Sequence, residues 1–399
     1  MKKILLLLLL LAAAPLRAEE AVRFFIERID LRNLHNAGRD VILTEARLHE
    51  GATYSEADLH DANDRIERLP FILDAQFSLE KGSRRDAYVL VITLNETRSF
   101  FYGLDLIAYH GGRDEQISVY AEDAGVSGIG FRWFAGRRGM FHVALGGERE
   151  YSSTNAKETG AVEAGYTQYG LFGSDAFASV SVAVPINGVG KVQTLPQVTV
   201  GIPLTPTQTL TSSFNSSDYE SLGRNRYRRK ALRLDWSHNT TNNPFFPTRG
   251  TLLSAGPLFA ADDATYRVFH GDPIDEELIH DKTHTIGLSL AAAHYWELSE
   301  RNSVSLRGEA DLRRTTGKRN GVDLEDDYTP SSVRVGWSRS LWSRERVAVD
   351  GDMRLEAALR YMTGRKDYIF VEQHSTFATL AWVRRNAWGT MRFGVGYAR

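Results

Sequence analysis

The last nine residues alternate without a break, and that pattern constrains the chain more than any other feature. Met391, Phe393, Val395 and Tyr397 are apolar, while Arg392, Gly394, Gly396 and Ala398 between them are charged or small. The pattern recurs at Met353, Leu355, Ala357, Leu359 and Tyr361, interleaved with Arg354, Glu356, Ala358 and Arg360. It recurs again at Val304, Leu306, Gly308, Ala310 and Leu312 against Ser305, Arg307, Glu309, Asp311 and Arg313. A period of two marks a strand with one apolar and one polar face. Each polar face carries several ionic groups, and each alternating stretch runs about nine residues, the length of a tilted strand that crosses a bilayer. The chain therefore reads as mainly β, a transmembrane antiparallel β-barrel with lipid outside and a polar lumen.

The N-terminus agrees with that compartment. Lys2 and Lys3 precede an apolar run from Ile4 to Ala14, followed by small residues near Ala18. The run is too short for a spanning helix and reads as a secretory signal peptide over residues 1–18. With no Cys in the chain, thiolate metal sites and disulfides are excluded. No basic block points to nucleic acid. The 34 Gly, 16 Tyr and 19 Phe suit a curved barrel wall with aromatic residues at its lipid interfaces.

Two textures follow. Residues 21–98 mix helix and strand signals, and residues 99–399 show only strands and turns. In the first region Phe24 to Leu31 reads as a strand, and Val41 to Glu50 as a helix closed by Gly51. Ser55-Glu56-Ala57-Asp58 resembles a capping box, ahead of Leu59, Ala62, Ile66 and Leu69 at helical spacing. Ala75, Phe77 and Leu79 alternate, as do Tyr88, Leu90, Ile92 and Leu94. The order is β-α-α-β-β. In the second region a count gives about sixteen strands, even as bacterial barrels require. Longer connections at residues 260–282 and 315–330 read as extracellular loops.

The first region resembles the POTRA domain, the periplasmic module that precedes the barrel in the BamA/TamA superfamily. The matching residues are Ile29, Leu31, Leu48, Glu50-Gly51, Tyr54, Leu69, Phe71, Phe77, Leu90, Ile92, Leu94 and Glu96. A second likeness lies in Phe246-Pro247-Thr248-Arg249-Gly250, which resembles the "FPTxG" turn of that superfamily's barrels. Pro247 lacks a donor and Gly250 permits unusual dihedrals, as a turn between strands requires. The resemblance implies that the strand around Asp74, Gln76, Phe77 and Ser78 is an exposed edge. It also implies a labile seam between the first and last barrel strands, where Gly394 and Gly396 weaken packing and Tyr397 takes the place of a terminal aromatic.

Other chemistry is weakly signalled. His280 and His284, amid Asp272, Asp275, Glu276, Glu277 and Asp281, read as a solvated acidic loop rather than a metal site. No nucleophile motif is present, so neither enzyme activity nor a cofactor is expected. By the resemblance, Val333-Arg334 stands where the superfamily's lid loop carries an arginine that contacts inner-wall acids, here Glu309 or Asp311. The same stretch also reads as plain strand, and both readings stay open. The expected function is insertion or translocation of other proteins at the outer membrane of a Gram-negative-type bacterium. The expected partners are outer-membrane lipid and extended client strands or periplasmic chaperones, with self-association left open. The alternative is a passive pore or an anchor.

Overall fold

The computed structural model describes residues 22–67, 69, 71–110, 118–119, 127–136, 138–151, 156–185, 195–205, 207–220, 226–243, 246–269, 276–343, 347, 351–367 and 370–398. The segment read as a signal peptide lies outside the described residues. The chain begins with β1 (Arg23–Arg32), α1 (Arg39–Ala46), β2 (Ala52–Ser55), α2 (Glu56–Glu67), β3 (Ile72–Lys81) and β4 (Ala87–Glu96). The four strands form one sheet in the order β2-β1-β4-β3, with β1 and β4 parallel. Ile26, Ile29, Ile42, Ile66, Leu90 and Ile92 are buried against the two helices.

Local chemistry explains most of these boundaries. The Ser55 hydroxyl accepts from Asp58 N–H at 3.1 Å, and Asp58 accepts from Ser55 N–H at 2.8 Å, a reciprocal cap at the start of α2. Helix α1 ends earlier than the spacing suggests. Arg47 adopts a left-handed conformation at φ 55° and closes the helix, while Gly51 at φ 80° turns the chain into β2. Strand β2 is an addition to the expected order, four residues too short to show a period.

The barrel comprises β5 (Phe100–His110), β6 (Ser118–Val119), β7 (Ser127–Ala135), β8 (Gly139–Tyr151), β9 (Ala156–Tyr169), β10 (Phe177–Pro185), β11 (Leu195–Thr205), β12 (Gln208–Glu220) and β13 (Arg226–Asn239). It continues with β14 (Gly250–Phe269), β15 (Glu276–Ser299), β16 (Asn302–Arg319), β17 (Val322–Tyr328), β18 (Ser331–Ser340), β19 (Asp352–Asp367), β20 (Phe370–Asn386) and β21 (Gly389–Ala398). Among the described residues, 15 strands make the closed wall and β17 is an extra strand on the upper half of β16. The two-residue β6 pairs with the end of β5.

Two expectations are corrected here. An odd number of strands running alternately up and down must close in parallel, and β21 indeed pairs with β5 in parallel, from Gly389↔Tyr102 to Tyr397↔His110. The even, wholly antiparallel wall is therefore broken at one place. The supposed loops at residues 260–282 and 315–330 are largely paired strand. Strands β14 and β15 stay in register out to Phe269↔Glu276, and β16 with β17 to Arg319↔Val322. Polar residues replace the apolar face there, so the period that marks a membrane strand fades while the hydrogen-bond ladder continues.

The wall's faces follow the alternation. Leu359 is 54% exposed on the outside, Val395 62% and Ile286 63%, whereas Arg354, Glu356, Arg360 and Arg392 are buried or half-buried. A continuous exposed apolar exterior of this size is a lipid-facing surface. All 7 tryptophans stand within four residues of the strand ends beside the N-terminal sheet, as an interfacial belt would.

Candidate functional site: sheet edge, seam and lumen

The N-terminal sheet is fixed to one mouth of the barrel, here the near mouth. Phe71 meets Phe134 edge-on at 4.8 Å, and the sheet's buried cluster extends into Met140 and Tyr169 of the wall. Arg385 donates through Nη2 to the Ile72 carbonyl at 2.8 Å, and Arg138 lies 3.4 Å from Asp40. Backbone bonds Thr97 N–H to Phe71 O (2.8 Å) and Arg98 N–H to Ala387 O (2.7 Å) run the linker along both units.

Strand β3 lies at one end of the sheet order, so one of its sides lacks a partner strand among the described residues. Its start is bulged between Ile72 and Asp74. The Glu67 carboxylate accepts from the Ala75 N–H, which therefore points away from β4. Because main-chain groups alternate sides along a strand, the outward donors and acceptors belong to Ala75, Phe77 and Leu79. Those of Gln76 and Ser78 turn toward β4. Of the expected edge residues Asp74, Gln76, Phe77 and Ser78, Phe77 offers its own backbone; exposed Gln76 and Ser78 offer side chains on the open sheet face, and Asp74 accepts from Gln76 at 3.1 Å. Sequence reading missed Glu67, since a lone glutamate at a helix end carries no pattern. Burial, with Asp74 and Asp64 close by, pushes its carboxyl up to about 8.

The seam joins β21 to β5 through nine parallel register pairs. Gly394 stands opposite Ile107, Gly396 opposite Tyr109 and Tyr397 opposite His110. A Cβ on Gly394 would come within 2.8 Å of the Leu380 carbonyl. At Gly389, φ is 148° and a Cβ would fall 1.8 Å from the Tyr102 carbonyl, so only glycine permits the seam to close there. Asn386 accepts from the N–H groups of Trp388 (2.9 Å) and Gly389 (3.2 Å) and shapes the turn before it.

The turn between β13 and β14 folds into the near mouth. Asn242 Oδ1 accepts from Thr248 N–H at 3.0 Å and Arg249 N–H at 3.3 Å, and Asn243 Oδ1 accepts from Phe246 N–H at 2.9 Å. Gly250 takes φ 102°, where a Cβ would sit 2.2 Å from the Thr240 carbonyl. The outcome is that Phe246 is only 6% exposed, packed on Ala381 and Val383 of β20, with the Arg354 guanidinium 4.9 Å from its ring. The turn thus braces the wall at β13–β14 to the wall next to the seam. Arg249, at its other end, contacts His60 of α2. Pro247 lines a lumen cavity beside Phe246.

Arg334 stands in the regular strand β18, directly opposite Arg307 on one side and Arg360 on the other. It occupies the wall and not a loop. Glu309 pairs with Arg307 at 2.6 Å and lies 3.9 Å from Arg360; Asp311 pairs with Arg313 at 2.7 Å. Arg392 reaches Glu356 at 3.1 Å, and Arg354 pairs with Asp352. His280 and His284 both lie in the paired strand β15 and not in a loop, and four residues of strand, about 13 Å, separate them. Among the described residues, no cluster of three metal-ligating side chains is present.

A closed wall with an apolar exterior, a charged lumen and a small α+β sheet at one mouth defines the transmembrane β-barrel class. No protein-family model and no curated protein matches the chain. Among solved structures it is similar to BamA from Haemophilus ducreyi lacking POTRA domains 1-3, at 12% identity and TM-score 0.42, over 94% of this chain and 81% of that one. It is also similar to CdiB from Acinetobacter baumannii, at 10% identity and TM-score 0.46, over 90% of this chain and 60% of that one. CdiB from Escherichia coli matches at 14% identity and TM-score 0.41, over 98% of this chain and 89% of that one.

Proposed function

We propose that this protein is an outer-membrane assembly or translocation factor of the BamA/TamA kind, with its POTRA-like sheet in the periplasm. The observation that carries this reading is β3, an edge strand held at the near mouth with the main-chain groups of Phe77 and Leu79 turned outward. An extended client segment adds to such an edge through backbone hydrogen bonds, and side chains on alternate positions set its preference. The client is then held beside the barrel. The parallel seam supports the second half of the mechanism, because parallel pairing is slightly weaker per residue than antiparallel pairing. Opening there toward lipid would expose strand edges that template insertion.

The alternative is a passive pore, or an anchor whose sheet tethers a periplasmic partner. Proline substitution separates the two. Leu79→Pro deletes an outward donor and leaves the β4 ladder intact; Ser78→Pro deletes a ladder bond. For an assembly factor, Leu79→Pro yields a folded, membrane-inserted protein whose cells lose other outer-membrane proteins. Unchanged levels of every other envelope protein with that variant would overturn the assembly reading in favour of the pore.

A further inference from the structure

Between the inward-folded turn and the wall lies a lumen cavity of about 110 Å³, bounded by Phe246 and Pro247 on one side and by β16, β18, β19 and β21 on the other. That is room for several waters or for one small oxyanion with part of its shell. Its floor is built from small polar positions, Ser303, Ser305, Gly336 and Ser338, and a Cβ on Gly336 would come within 2.7 Å of the Ser305 hydroxyl. The Ser303 and Ser338 hydroxyls bond to each other at 2.8 Å.

Four arginines line this cavity, Arg307, Arg334, Arg354 and Arg392, and Glu356 is the acidic residue among the described lining. Among the described residues, Arg360 above them and Glu309 and Asp352 beside them bring the patch to five arginines and three carboxylates. The arrangement is not what wall stability alone would favour. Arg307, Arg334 and Arg360 stand directly opposite one another across three neighbouring strands, and like charges so placed repel. Along their own strands Arg307 and Arg354 each have a carboxylate two residues away, Glu309 and Asp352, so the repulsion acts between strands and not within them. A row of arginines beside serine hydroxyls, in a small recess of the lumen wall, is the chemistry that holds a phosphate-like oxyanion.

We propose that this chamber is an oxyanion-binding site, taking a small, multiply charged anion of the phosphate class from the aqueous lumen. The wall itself stands between the cavity and the lipid, so a free anion and not a lipid headgroup is the occupant. The site is independent of the assembly reading, because it serves a translocation channel and a passive pore alike.

The test is thermal unfolding of the purified full chain in detergent, in sodium phosphate and in sodium chloride of equal ionic strength. The expected result is a saturable rise in the unfolding midpoint with phosphate that chloride does not produce. Arg334→Gln should weaken the apparent phosphate affinity about tenfold or more, since it removes one charge-assisted contact. Glu356→Gln should act in the opposite direction and tighten it, because it raises the local positive excess. Should Arg334→Gln fail to fold, Ser338→Ala and Glu356→Gln carry the comparison. Equal midpoints in the two salts, or an identical phosphate effect in all variants, would overturn the proposal. Phosphate esters presented on vesicles should give no shift beyond vesicles without them; a shift specific to them would move the site to the lipid side and overturn it as well.

Discussion

Glu67 shares the end of α2 with Asp64 and faces Asp74 from β3, and burial adds to the repulsion of these two groups. Its carboxyl titrates near 8 in the folded protein against 4.5 ordinarily, so the folded state holds a proton that the unfolded chain has released. The contribution of this group to stability is complete below about 4.5 and is lost as pH rises through about 8. Hydrogen exchange at Ala75 and its neighbours, corrected for intrinsic rates, should therefore show the β3 edge loosening between those values. Glu67→Gln, which keeps a neutral acceptor, should flatten that profile; an unchanged profile would assign the loosening elsewhere. Phe246 is the other residue on which the near mouth depends. Phe246→Ala removes the ring that packs on Ala381, Val383 and Arg354. The expected cost is about 3–5 kcal/mol, read as earlier loss of the heat-resistant folded band on a gel.

At the scale of elements, long alternating strands were legible because their side chains obey one rule over many residues. Strands β16, β19 and β21 fall where Val304–Leu312, Met353–Tyr361 and Met391–Tyr397 alternate. The capping box at Ser55 and the left-handed Gly250 were legible for a similar reason, each being a local demand on one residue type. Strand β2 and the paired extensions of β14 to β17 were not, because a ladder needs only backbone and leaves no side-chain period. Nor was the direction of main-chain groups on β3, which depends on register: the exposed edge was legible around Asp74 to Ser78, but only the Glu67–Ala75 bond shows which of its residues turn their main-chain groups outward. That direction yields a prediction. Ser78→Pro should unfold the N-terminal sheet and Leu79→Pro should not, as measured by protease resistance of residues 22–96. The opposite order would place the edge donors at Gln76 and Ser78.

The whole molecule joins two closures of different strength. Among the described residues, the strand pairs of the wall are antiparallel except β21 with β5, and that pair holds through nine register positions with Gly394 and Gly396 supplying no side chains. The sequence carried the small residues of this seam but not its direction, because direction depends on the parity of the strand count, a property no single strand displays. Next to it, the turn carrying Phe246 presses on β20, so the wall is braced one strand away from its parallel pair. Opening would then part β21 from β5 while β20 stays tied across the lumen. Phe393 and Leu106 stand opposite each other in the seam register. The double variant Phe393→Cys with Leu106→Cys should form a disulfide on oxidation and lock the seam. If the seam opens during function, the oxidised protein should fail to support assembly of other outer-membrane proteins, and reduction should restore it. If oxidised and reduced forms support assembly equally, or if neither does while the reduced form is folded and inserted, the seam is a static joint and the mechanism must run through the lumen.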